Sequence, residues 1–187
     1  VFSAIAAILM VLEFPVPFAP SFYGLDFSEL PALIGAFAYG PVAGVMIEFC
    51  KILIKLVLKP SSTAFVGELA NFSISCMLVL PASVIYLFKK SRKQAILGTV
   101  VGTLIMTAFG SCFNAIYLLP KFSELYGIPL DAIIGMGTAI NPAIHSISGL
   151  VLMCVVPLNL LKGGLVSLIT ILVYKKLSPI LKAAHKQ

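Results

Sequence analysis

Charge is what this sequence has least of. Asp, Glu, Lys and Arg make up 11% of its 187 residues, against 60% hydrophobic ones. An average soluble domain carries roughly 25% charged residues. The deficit excludes a water-soluble globule of this size, because there is too little polar surface to cover one, and the mean hydropathy of +1.09 agrees. No Gly-x-x-x-x-Gly-Lys-Ser/Thr loop is present, so the chain does not bind ATP in that way. Cys50, Cys76, Cys112 and Cys154 sit inside apolar runs at spacings that match no zinc or redox pattern. They read as small buried hydrophobes. No small-residue cleavage site follows the first apolar run, which argues against a signal peptide. The first residue is Val, which suggests a start part-way into the first helix. No internal repeat of fixed period stands out.

The apolar runs themselves predict an all-α, polytopic membrane protein. A single transmembrane domain over residues 1–187 has room for six helices of about 20 residues each. The first runs from Val1 to Glu13. Residues 14–28 then hold Pro15, Pro17, Pro20 and Gly24, which exclude a helix. This loop is aromatic and apolar, and reads as a lid on the membrane surface or folded into the bundle. Asp26-Phe-Ser-Glu29 has capping-box spacing for a second helix over 28–39. Gly40-Pro41 breaks it, a third helix reaches Lys59, and a fourth spans 63–88. A fifth spans 95–119. Residues 120–142 read as a loop plus a short helix, and the last span begins near Pro157 and ends at Lys175-Lys176.

The net charge of +6 is concentrated between and after apolar runs, in Lys89-Lys90-Ser91-Arg92-Lys93 and Lys175-Lys176. That is the pattern of cytoplasmic loops, not of a nucleic-acid-binding face. A cytoplasmic 89–93 loop puts both termini inside, and the 14–28 lid, the 59–63 connection and region 120–156 outside. Lys51, Lys55 and Lys59 then share one stripe leading outward. Lys55 and Lys59 can snorkel. Lys51 lies deeper and needs a partner, for which Glu48 is nearest.

A charge at the bilayer centre costs about 2.5–3.5 kcal/mol on insertion scales, so polar residues at membrane depth are the functional pointers. Asn159 and Lys162, three residues apart at the predicted start of the last helix, share a face. They offer an amide and an ammonium to carbonyl or hydroxyl oxygens. The alternative is a snorkelling lysine, but a cation near a helix N-terminus opposes the macrodipole. Asn114 falls at a similar depth in the fifth helix, where an interhelical hydrogen bond is the competing role. Glu68 and Asn71 form an i, i+3 pair that reads as structural first, with Lys51 or Lys55 as partners, and as ligand-binding second. His145-Ser146 invites a hydrolase reading, but no acid is placed to help and the oxyanion support is weak. Ser3 and Ala7 have the small-residue spacing that lets helices approach closely, either internally or against another subunit.

Phe14-Pro-Val-Pro-Phe18, Leu25-Asp-Phe-Ser-Glu-Leu-Pro-Ala-Leu-Ile34, Gly40-Pro-Val-Ala-Gly44 and Pro157-Leu-Asn-Leu-Leu-Lys-Gly163 carry a resemblance. The sequence resembles the riboflavin-binding S components of energy-coupling-factor (ECF) transporters over nearly its whole length, least across 120–150. The resemblance implies six helices in a bacterial plasma membrane and a pocket open to the outside under the 14–28 lid. It implies riboflavin as transported substrate, no cofactor and no catalysis by this chain. An ECF transmembrane subunit and two ATP-binding subunits would supply the energy. The family's polar pocket positions fall on Asn114, Asn159 and Lys162, and Phe22, Tyr23 and Leu25 in the lid would cover the ring. The family's Ala-x-x-x-Ala docking motif is matched only in part by Ser3-x-x-x-Ala7. An S component for another vitamin, a small intramembrane enzyme using His145 and Ser146, and a purely structural subunit are the competing readings.

Overall fold

The computed structural model describes residues 1–183, with side chains through Val173. Its elements are α1 (Phe2–Val11), β1 (Phe14–Pro15), β2 (Gly24–Leu25), α2 (Glu29–Tyr39), α3 (Pro41–Leu58) and α4 (Val66–Phe88). They continue with α5 (Arg92–Tyr126), α6 (Leu130–Ile140) and α7 (residues 147–183). Three of these, over Val66–Phe88, Arg92–Tyr126 and Ile147–Val173, are long and apolar enough to cross a membrane. Their outward faces carry exposed Leu69, Val84, Leu104, Leu160 and Leu172, a surface suited to lipid and not to water. α2 has 11 residues, about 16 Å at 1.5 Å per residue, roughly half a bilayer core. Gly40 adopts φ 96° between α2 and α3, a left-handed conformation that suits glycine, and Pro41 opens α3 at its first position.

Two helix boundaries differ from the sequence expectation for one shared reason. α5 does not end at Leu119 but continues through Pro120 to Tyr126, and α7 begins at Ile147, well before Pro157. Each helix contains a π-helical turn, Asn114–Leu118 in α5 and Val151–Val155 in α7. Each proline follows its π turn by two residues. The wider turn displaces the carbonyl that a proline ring would otherwise strike, so the helix passes through. Gly127, with φ 60°, supplies the stop for α5 that Pro120 does not. Ser146 Oγ caps α7 by accepting from Gly149 N at 3.1 Å. At its other end α7 runs past Lys175-Lys176 to Ala183. The last residues of the polar tail, 184–187, lie outside the described residues.

Glycines set how closely the central helices approach. A Cβ on Gly98 or Gly102 of α5 would stand 2.5 Å from the backbone oxygen of Ala82 or Leu78 on α4. A Cβ on Gly163 of α7 would meet the Thr103 side chain at 2.6 Å. α4, α5 and α7 are therefore packed backbone-close. The polar residues of the site project from this frame.

α1 bears on the Ser3-x-x-x-Ala7 pair, read as an internal contact or a docking face. Ala7, like Ala6, is fully enclosed by the chain's own packing, and Ser3 is half-buried. Ser3-x-x-x-Ala7 is thus spent on internal contact at its Ala7 end. The outward side of α1 is Ala4, Ile5 and Ile8.

Candidate functional site

Residues 14–28 form a lid with a short antiparallel ribbon, in which Phe14 pairs with Leu25 and Pro15 with Gly24. Three side-chain bonds fasten it to the two long helices. Tyr23 Oη donates to Asn114 Oδ1 at 2.8 Å, Cys154 Sγ donates to the Phe18 carbonyl at 3.2 Å, and Lys162 Nζ donates to Asp26 Oδ2 at 2.9 Å. Phe22 lies against Tyr23, with ring centroids 4.6 Å apart, and edge-on to Phe122 at 6.0 Å. Burial pushes the Tyr23 phenol well above its ordinary value, which keeps its O–H as a donor.

Beneath the lid lies a cavity of about 720 Å³, within the usual size of small-molecule sites. It opens toward the Ser62–Thr63 connection and Tyr126, at the end of the bundle opposite the Lys89–Lys93 turn. Apolar walls come from Ile74, Met106, Leu118, Ile133, Val155 and Leu158. Asn114 from α5 and Asn159 and Lys162 from α7 all line it, as do Glu68 and Asn71 from α4 and Phe22 and Tyr23 from the lid. Leu25 does not. Its side chain packs into the apolar cluster around Leu118 and Val151.

Asn159 and Lys162 are not at a helix start. Because α7 begins at Ile147, both lie several turns in, and the macrodipole has no bearing on them. Lys162 is held by two carboxylates, Asp26 at 2.9 Å and Glu29 at 2.8 Å. Glu29, 1% exposed, also accepts from Ser75 Oγ at 2.7 Å and lies 3.9 Å from Lys51 Nζ. Lys51 in turn pairs with Glu48, as its depth required, and donates to Ser28 Oγ at 3.0 Å. Burial raises the Asp26 carboxyl, but the Lys162 and Lys51 ammoniums outweigh that and hold it below the usual carboxylate value. Its contribution is therefore full above that usual value, and fades only as pH falls through the lowered one.

Asp26 and Glu29 are the site residues that the sequence reading missed. Their capping-box spacing assigned them to the start of α2, yet no side chain caps that helix. Asp26 Oδ1 accepts from Ser28 N at 2.8 Å, and Asp26 Oδ2 and Glu29 Oε1 turn to Lys162. The available signal was Lys162 itself, since an ammonium this deep requires an acid.

Several buried polar atoms at the cavity have no hydrogen-bond partner among the described residues. They are Asn159 Nδ2, Asn71 Oδ1 and Glu29 Oε2. Such orphans are costly in a dry interior unless a bound molecule meets them. Glu68, by contrast, is saturated by Lys55, Ser61 and Thr63. Space for the Asn159 carboxamide is made by Gly110, whose Cβ would stand 2.8 Å from Asn159 Nδ2. The Gly110 carbonyl also accepts from Asn114 Nδ2 at 2.7 Å. His145 and Ser146 are exposed and do not line the cavity, and Ser146 Oγ is engaged as a helix cap. Among the described residues no cluster of metal-ligating side chains occurs.

Comparison with known proteins gives this architecture a family. The family model described as the substrate-specific component of ECF transporters matches residues 1–174. The riboflavin transporter RibU of Staphylococcus aureus (strain TCH60) is 34% identical over 180 residues, covering 96% of this chain and 88% of that protein. The riboflavin transporter FmnP of Bacillus subtilis (strain 168) is 32% identical over 180 residues, covering 95% and 88%. A solved structure described as the S component of a bacterial ECF transporter superposes with a TM-score of 0.73 at 36% identity, covering 97% of this chain and 93% of that one. With its helices, apolar exterior and matched length, this chain belongs to the substrate-specific components of ECF transporters and is a multi-pass membrane protein.

Proposed function

We propose that the chain captures riboflavin at the outer membrane face, in the lidded cavity, as one subunit of an ECF vitamin transporter. One observation carries the reading: Asn114, Asn159 and Lys162, from two different helices, converge on a single apolar-walled cavity beneath Tyr23 and Phe22. Relatives of nearly equal length are named riboflavin transporters. Riboflavin is a flat, uncharged ring with a hydroxylated chain. Apolar walls suit the ring, and a few fixed donors and acceptors suit its carbonyls, imide N–H and hydroxyls. With six spans and the 89–93 loop in the cytoplasm, the cavity mouth faces outward. As a substrate-specific component, the chain draws the energy for transport from a separate transmembrane partner and two ATP-binding subunits.

Titrating detergent-purified protein with riboflavin is expected to quench flavin fluorescence with one-to-one stoichiometry. No quenching at micromolar flavin removes the assignment. Gly110→Ala is expected to keep the fold, because its clash is with a side-chain amide that can rotate away. It should weaken flavin binding by about tenfold or more, roughly 1.4 kcal/mol, by turning the Asn159 carboxamide out of line. Native affinity in that variant would show that Asn159 is not a ligand contact.

A further inference from the structure

We propose that Asp26 is a positioning residue: it makes Lys162 a competent donor to the bound molecule only while the lid is closed. This rests on the riboflavin reading. The Lys162 ammonium has three N–H groups. Two are taken, one by Glu29 Oε1 at 2.8 Å and one by Asp26 Oδ2 at 2.9 Å. Two fixed bonds at one nitrogen determine where the third N–H points, and Lys162 lines the cavity.

The two carboxylates belong to different parts of the chain. Glu29 is the first residue of α2 and is itself held by Ser75, so it stays with the helical body. Asp26 belongs to the lid, and its other oxygen is pinned by Ser28 N at 2.8 Å. Opening the lid withdraws one of the two anchors. A lysine stem with four rotatable bonds, held at one point only, regains much of its conformational freedom. The same logic recurs on α5. The Asn114 amide is fixed by the Gly110 carbonyl on one side and by the lid's Tyr23 hydroxyl on the other. Lid closure thus orients one ligand-facing group on each long helix. By linkage, a molecule that favours those oriented groups favours the closed lid by the same factor.

The ammonium between two carboxylates is also no anion site. It presents one oriented N–H with its charge offset, which matches a carbonyl or hydroxyl oxygen on an uncharged ligand.

The test is stopped-flow fluorescence of riboflavin binding and release on the purified full chain, for the native protein, Asp26→Asn, Asp26→Glu, Lys162→Gln and the Asp26→Asn/Lys162→Gln double variant. Asp26→Asn is nearly isosteric and leaves Lys162 paired with Glu29, so the fold should persist. Its release rate is expected to rise about tenfold or more with association changed less than about twofold, since affinity changes in one interface fall mainly on release. Asp26→Glu should recover most of the native rate. The double variant should release no faster than Lys162→Gln alone, because Asp26 acts through that lysine.

Backbone hydrogen exchange over residues 14–28 supplies a readout that a purely structural pair would not move. Riboflavin should increase lid protection in the native chain, and Asp26→Asn should lower that protection far more in the presence of riboflavin than in its absence, where only one of the lid's three fastenings is weakened. A native release rate in Asp26→Asn, or equal loss of protection with and without flavin, overturns the inference while leaving riboflavin binding standing. Absence of flavin binding by the native chain overturns both.

Discussion

Lys162→Ala is expected to abolish riboflavin binding in the micromolar range and to lower stability by roughly 3–5 kcal/mol, the usual cost of removing one partner from a buried ion pair. The lysine is 11% exposed and its partners Asp26 and Glu29 are 6% and 1% exposed. Removing it leaves two adjacent carboxylates in a dry setting. Lys51 is 3.9 Å from Glu29, is already engaged by Glu48, and offsets little of the loss. The lost donor and the displaced lid then act together on binding. Thermal unfolding in detergent, with and without flavin, measures both effects. Neutralising the stranded acids separates them: Asp26→Asn and Glu29→Gln on a Lys162→Met background should recover most of the stability and none of the binding. A Lys162→Ala protein that melts and quenches flavin like the native one would contradict the assigned role.

Gly102→Val should prevent accumulation of folded protein. The new Cβ would start 2.5 Å from the Leu78 carbonyl oxygen. That atom is backbone, so no rotamer change relieves the contact and α4 and α5 must separate. Overpacking in a dense core costs about 1–3 kcal/mol, and a branched side chain at a backbone contact lies at the upper end. The neighbouring close approach of Gly98 to Ala82, where a Cβ would likewise stand 2.5 Å from the carbonyl oxygen, would be pried open with it. Gly164, with nothing within 4 Å of its would-be Cβ, is the control, and Gly164→Ala should yield folded protein at the native level. Monodisperse elution of Gly102→Val at native yield would mean that the α4–α5 spacing is more yielding than the geometry indicates.

The contrast between residues that were readable and residues that were not has a physical basis. Asn114, Asn159 and Lys162 stand out because each is polar inside a long apolar run, where desolvation makes chance placement costly. The lid is readable from its prolines, which forbid helix whatever the tertiary context. Lys51 and Glu48 are found together because their spacing keeps them on one helix face. Asp26 and Glu29 are lost because a local pattern, the capping box, accounted for them before any distant partner was sought. Their partner is 136 residues from Asp26 in sequence, and no periodicity connects the two. Leu25 was placed over the ligand by its position in the lid, but strand pairing with Phe14 turns it into the apolar cluster. Pro120 and Pro157 were read as helix breaks because a proline's effect depends on the turn before it. A π turn leaves no mark in composition.

Those two π turns also govern azimuth. In a uniform α-helix, residues four apart drift by about 40° per step, because each residue turns about 100°. Gly110, Asn114, Leu118 and Phe122 are spaced by four on α5 and all are buried, as are Leu150, Cys154 and Leu158, with Lys162 following at the same interval on α7. Over three such steps the drift would reach about 120°, enough to carry the last member toward lipid. Each π turn absorbs one residue of winding, so the rows stay nearly straight. A chain lengthened by a single residue within 151–155, beyond the one the π turn absorbs, would swing everything before that point by about 100°. The packing of Leu150 against Gly137 of α6 would be lost, while the half of α7 beyond Pro157 kept its packing.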